Sequence, residues 1–105
     1  MDNQTWRDFF LGFIKVHILH HAAIEPVYGQ EFSQELKRHG YEISFGTLYP
    51  IFHKLESKGL LKSKKELVNG KIRKYYTITP MGKKLLNEAR AKARELVDEL
   101  YEDNR

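Results

Sequence analysis

Cysteine is absent from this 105-residue chain, which excludes disulfides, CxxC redox pairs, thiolate zinc sites and a cysteine nucleophile together. Also missing are internal repeats, low-complexity tracts and long linkers; proline occurs only three times and tryptophan once. No apolar run approaches the roughly 20 residues that span a bilayer, and the N-terminus lacks the basic-then-apolar layout of a secretory signal. A cytoplasmic protein with no membrane partner is therefore expected. Neither a P-loop nor a Ser/His/Asp order is suggested by spacing, nor a pair of carboxylates in a pocket, so no enzyme and no cofactor are expected. What is present, 41% hydrophobic and 30% charged residues, is the composition of a folded chain with one core.

The net charge of +4 is small, but it is unevenly placed. Residues 1–61 carry six Lys/Arg against seven Asp/Glu, residues 62–76 six against one, and residues 77–105 six against six. The positive excess thus sits in one fifteen-residue stretch, the footprint of a polyanion-binding element on a neutral scaffold; a solvated lysine-rich strand looks the same by charge alone.

Hydrophobic periodicity predicts four helices and a hairpin. Trp6, Phe9, Phe10, Phe13, Ile14, Ile18 and Leu19 recur at helical spacing from Thr5, the expected N-cap, to about Ala23. Glu25-Pro26 ends that helix. A short helix runs from Gly29 to His39 and stops at Gly40. A third begins at Ser44, buries Leu48, Ile51, Phe52 and Leu55, and ends at Lys58-Gly59. The two short helices and their tight turn read as helix-turn-helix. Pro50 falls inside the third helix, where its ring presses on the carbonyl of Gly46, the residue type best able to tilt that carbonyl away.

Asn69-Gly70 is the strongest short hairpin signal, and a two-residue turn fixes a register from Val68 with Lys71 to Leu61 with Ile78. Lys65 then faces Lys74, an unfavourable like-charge pair that an anion such as phosphate would relieve. Thr79-Pro80 caps and opens a last helix running to about Glu102. Its residues Leu86, Ala89, Ala93, Leu96 and Leu100 form a narrow coiled-coil-like seam that calls for a second copy of the same helix or, more simply, for packing on the first helix.

These elements are in the order of a winged helix-turn-helix, mainly α with a small β-hairpin, followed by a dimerisation helix. They divide as a DNA-binding unit over 1–79 and a dimerisation helix over 80–105 within one compact unit. At this point the chain resembles a known family. Tyr28-Gly29, Gly46-Thr47-Leu48-Tyr49-Pro50, Leu55-Glu56, Gly59-Leu60, Arg73-Lys74-Tyr75-Tyr76, Ile78-Thr79 and Gly82 are similar to the motifs of PadR transcriptional regulators, over roughly residues 10–85. The resemblance implies a homodimeric, DNA-binding regulator, usually a repressor, often released by a small-molecule effector, and of the subtype with a single helix after the wing.

Read from the residues, Ser44, Thr47 and Tyr49 lie at the N-terminal end of the third helix, where hydroxyls, free amides and the positive helix end favour phosphate. Pro50 shares the outward face with Lys54, the best candidate for a base edge. Lys65, Asn69, Gly70, Lys71, Arg73 and Lys74 are expected to flank that helix over backbone or minor groove of double-stranded DNA. Trp6, Phe9, Phe10 and Phe13 are candidates to line a flat pocket against the last helix, with Trp6, Phe10 and Phe13 singled out for a small aromatic effector, although core packing explains them more simply. His17, His20 and His21 tempt a metal reading, but no third ligand is in reach by spacing and no metal is expected. Two other readings stay open: a winged-helix module that binds protein and no DNA, and a metal-sensing winged-helix regulator.

Overall fold

The computed structural model describes residues 1–102; residues 103–105, the end of the segment assigned to the last helix, lie outside the described residues. The chain runs α1 (Asn3–Ile24), β1 (Val27–Tyr28), α2 (Gly29–Arg38), α3 (Phe45–Ser57), β2 (Leu61–Val68), β3 (Lys71–Ile78) and α4 (Pro80–Leu100). This is a winged helix, its antiparallel sheet ordered β1-β3-β2.

Helix α1 starts earlier than expected, because Asp2 and not Thr5 is its cap: the Asp2 carboxylate accepts the Thr5 N–H at 2.7 Å. That bond holds the Asp2 pKa below the ordinary carboxylate range. At α3 the cap is as expected, with Ser44 Oγ accepting from the Thr47 N–H, and Pro50 is accommodated without interrupting the helix. Helix α4 stops at Leu100, two residues short of the expected end.

The hairpin register is the expected one, from Leu61 opposite Ile78 to Val68 opposite Lys71. Asn69 and Gly70 both take positive φ, +51° and +78°, as a type I′ turn demands. Strand β1 was not expected. Val27 and Tyr28 pair with Tyr76 and Tyr75, in a strand too short to show a period.

One core joins all the elements. Ile14 and Ile18 of α1, Leu36 of α2, Leu48 and Phe52 of α3 and Leu61 of β2 are fully or almost fully buried. Phe52 packs on Phe32 and Tyr76, with ring centroids 5.9 and 4.8 Å away, and Leu86 brings the first half of α4 into the same cluster. Ile51, expected in the buried stripe, is only partly buried.

The α4 start is locked to the turn after α3. Thr79 donates its backbone N–H to the Leu60 carbonyl and its hydroxyl to the Gly59 carbonyl, and its Oγ1 accepts from Gly82 N–H. Gly82 sits so close to this turn that a Cβ there would lie 2.2 Å from the Leu60 oxygen and 2.7 Å from Ile78 Cγ1. Only glycine fits.

Candidate nucleic-acid interface

Helix α3 presents a buried side of Leu48, Phe52 and Leu55. The side chains spaced half a turn from these, Pro50, Lys54 and Ser57, are exposed. At its N-terminal end Ser44 and Thr47 are drawn together, Oγ to Oγ1 at 3.4 Å. Tyr49 is 45% exposed, its ring stacked with His53 at 6.1 Å and edge-on to Phe45 at 6.0 Å. Its hydroxyl-bearing ring is therefore held by neighbours while staying open to solvent.

On the hairpin, the strand pleat sorts the cations. Successive side chains point to opposite faces, so Lys65 and Lys74 share the face that carries Ser63, Tyr76 and Ile78, whereas Arg73 shares the other with Tyr75. The expectation of a single flank made of Lys65, Arg73 and Lys74 is thereby corrected. Arg73 turns to α2 and β1, its guanidinium 3.3 Å from the Glu31 carboxylate and 4.7 Å from the Tyr28 ring centroid.

The expected role of phosphate between Lys65 and Lys74 is corrected too. Lys74 Nζ lies 3.3 Å from Glu56 Oε1 on α3, and Ser63 donates its hydroxyl to the same carboxylate. The like-charge strain is thus relieved from within. Burial alone would raise the Glu56 pKa, but the bonds from Ser63 and Lys74 outweigh it and hold the group below its ordinary value. Burial opposes the charge on Lys74 as well, and the bond to Glu56 raises its pKa nonetheless.

Lys65 and Lys71 have no carboxylate partner among the described residues, and the tip residues Asn69 and Gly70 stand exposed between them. Beside Lys65, Leu67 and Ile72 face each other across the tip of the hairpin, 75% and 71% exposed. Sequence reasoning gave them no role, although the register places both on the Lys65 face.

The aromatic residues of α1 divide. Trp6 and Phe10 pack tilted against each other at 4.6 Å and edge-on to Tyr41 at 5.7 and 6.3 Å, and neither lines the space between α1 and α4. That space is an apolar groove of about 660 Å3, to which α1 contributes Phe9, Gly12, Phe13 and Val16 and α4 contributes Leu86, Ala89, Ala93 and Leu96. Of the four aromatic residues expected there, Phe13 and the 76% exposed Phe9 belong to it, while Trp6 and Phe10 do not. Leu100, at the end of the expected seam, is 67% exposed.

The histidines of α1 meet one from the end of α2. His17 lies 4.7 Å from His39 and 6.5 Å from His21 between ring centroids, and His39 Nε2 is 3.0 Å from the Glu35 carboxylate. Burial lowers the pKa of both His17 and His21; for His17 the neighbouring imidazoles lower it further, while Glu35 raises both. Among the described residues no group of three or more His, Cys, Asp or Glu side chains could hold a metal ion, and no helix is long and apolar enough to cross a membrane.

Comparison with known proteins gives a consistent result. Residues 18–88 match the family described as the Transcriptional regulator PadR-like family. The chain is similar to transcriptional regulator Rv3488 of Mycobacterium tuberculosis, at 47% identity over 94 residues, 90% of this chain and 88% of that protein. Its fold is similar to the crystal structure of a PadR family transcriptional regulator from Eggerthella lenta, with TM-score 0.81 and 32% identity over 97% of this chain and 92% of the other. A PadR-like regulator from Bacillus cereus gives TM-score 0.74 and 30% identity over 89% and 95%.

Proposed function

Because the chain belongs to the PadR-like family of transcriptional regulators, we infer that it binds double-stranded DNA as a homodimer in the cytoplasm and represses transcription from a pseudo-palindromic operator. The observation that carries this reading is α3 itself. Among the described residues its outward face and its capped N-terminus make no ion pair, and Ser44, Tyr49, Pro50 and Lys54 are exposed to a partner with Thr47 partly so.

In this reading α3 enters the major groove, Lys54 reaches a base edge or a deep phosphate, and the hydroxyls of Ser44 and Thr47 with the helix N-terminus take a backbone phosphate. Asn69, Gly70 and Lys71 at the tip of the wing, with Lys65 on the opposite face from Lys71, form the part that lies along the backbone or minor groove. Arg73 and Lys74 have a different role: they fasten the wing to α2 and α3 through Glu31 and Glu56.

Dimerisation is supported by α4. From Ala91 to Leu100 every residue is exposed in the single chain, yet Leu96, Val97 and Leu100 are apolar, and Leu96 lines the same groove as Phe9 and Phe13. A second copy of α1 and α4 would cover this surface. The place for a small aromatic effector is where Phe9 and Phe13 face α4.

An electrophoretic shift with fragments of the protein's own genome tests the reading. Retardation of particular fragments in excess random duplex, weakening steeply with salt, is expected. Equal or absent retardation of all fragments contradicts it.

A further inference from the structure

Six cations made the wing the most basic segment of the sequence, yet two of them are tied to acids in the fold. A different set of lysines is left together elsewhere. On the α1 side of α3, Pro50, Ile51, Lys54, Leu55 and Lys58 meet Leu11 and Lys15 of α1 around a cleft of about 230 Å3. Among the described residues no acidic side chain lines it. None of the three lysine side chains has an ion-pair partner among the described residues.

We propose that Lys15 and Lys58, together with Lys54, form a ledge that carries the DNA phosphate backbone on the flank of α3 away from the wing. The proposal rests on the reading of α3 as the recognition helix and adds two residues, one from α1, to its contact surface.

An α-helix with its side chains is about 10–12 Å across, and the major groove is about 12 Å wide, so a helix lying in it meets a phosphate wall on each side. The wing-side flank of α3 carries Glu56, an acid already engaged with Ser63 and Lys74. The opposite flank carries Lys54 and Lys58, four residues and about 6 Å of helix rise apart. Lys15 stands across the cleft from them.

The apolar floor matters as well. Leu11, Pro50, Ile51 and Leu55 give the lysine stems a surface to lie along while the ammonium groups reach outward. Three like charges around one small cleft repel one another until an anion arrives. A phosphodiester supplies that charge, and its sugar edges suit the apolar floor.

The test uses the full chain and the duplex that the wild type selects from a random pool. Lys15→Ala and Lys58→Ala are each expected to weaken binding about fivefold per subunit at 0.15 M salt, from the slope of roughly 0.9 per phosphate. The salt slope should fall by about one per subunit, equally for selected and random duplexes. Lys15→Arg, which keeps the charge, should retain wild-type affinity.

If the wild type binds selectively while both alanine variants keep its slope and affinity, the ledge is wrong and the α3 reading stands. A loss confined to the selected sequence also overturns it, since phosphate contacts are blind to sequence. If the wild type itself binds no duplex, it is the α3 reading that fails.

Discussion

Lys74 of β3 and Glu56 of α3 meet at 3.3 Å, so the lysine that stands opposite Lys65 is neutralised by the scaffold. Glu56→Gln is expected to lower stability by about 0.5–1 kcal/mol, the range of a solvent-accessible pair. It should also raise affinity for any duplex, because Lys74 is released beside Lys65. Urea denaturation and a DNA titration check the two halves, and a fall in both stability and affinity would show that Glu56 positions the wing instead of masking a charge. Since the folded state holds the Glu56 pKa below its ordinary 4.5, its stabilising contribution is present above that value and lost as pH falls through the lowered one.

The imidazole group gives a separate pH dependence. His17 and His21 have pKa values lowered from the ordinary 6.5, burial being the first cause in both. The unfolded chain therefore takes up protons first as pH falls, and stability declines from about pH 6.5 down through the lowered values. Titration of urea midpoints between pH 7.5 and 5 should show this decline, and His17→Gln should flatten it. An unchanged slope in the variant would remove the assignment.

Gly82→Ala places a methyl group against the Leu60 carbonyl, backbone that cannot rotate away. Overpacking of this kind costs about 2–3 kcal/mol, and Tm should drop by roughly 10–15 °C. Differential scanning calorimetry reads it directly; a wild-type Tm would mean that the α3–β2 turn shifts at little cost.

Leu96 is 45% exposed and lines the α1–α4 groove, so Leu96→Asp should leave the protomer folded while separating the dimer. Sedimentation equilibrium is expected to report the single-chain mass, with helical circular dichroism preserved and operator affinity lost. A variant that stays dimeric would assign the seam to some other surface.

Much of this fold was legible because its signals are local. Asn69-Gly70 dictates the hairpin register, Ser44 and Thr79 cap their helices within three residues, and the 3.6-residue spacing of Leu48, Phe52 and Leu55 marks the buried side of α3. The partners of Arg73 and Lys74 were not legible, since Glu31 and Glu56 lie on other elements and reach them only through tertiary packing. The pleat alone, however, already forbids two adjacent strand residues from sharing a face. Strand β1 escaped because two residues, Val27 and Tyr28, have no period to read. Trp6 and Phe10 fall outside the groove because Tyr41, which draws both aside, comes from beyond α2, whereas Phe9 and Phe13, four residues apart, share the side of α1 that faces α4.

The central claim is that two copies of α3 read one pseudo-palindromic site, and hydroxyl-radical footprinting on a selected genomic fragment tests it most directly. Two protected half-sites related by inverted repeat, with centres about one helical turn or roughly 10 base pairs apart, are predicted, with protection fading as salt is raised. Continuous protection without phasing, or a footprint indifferent to salt, would contradict it.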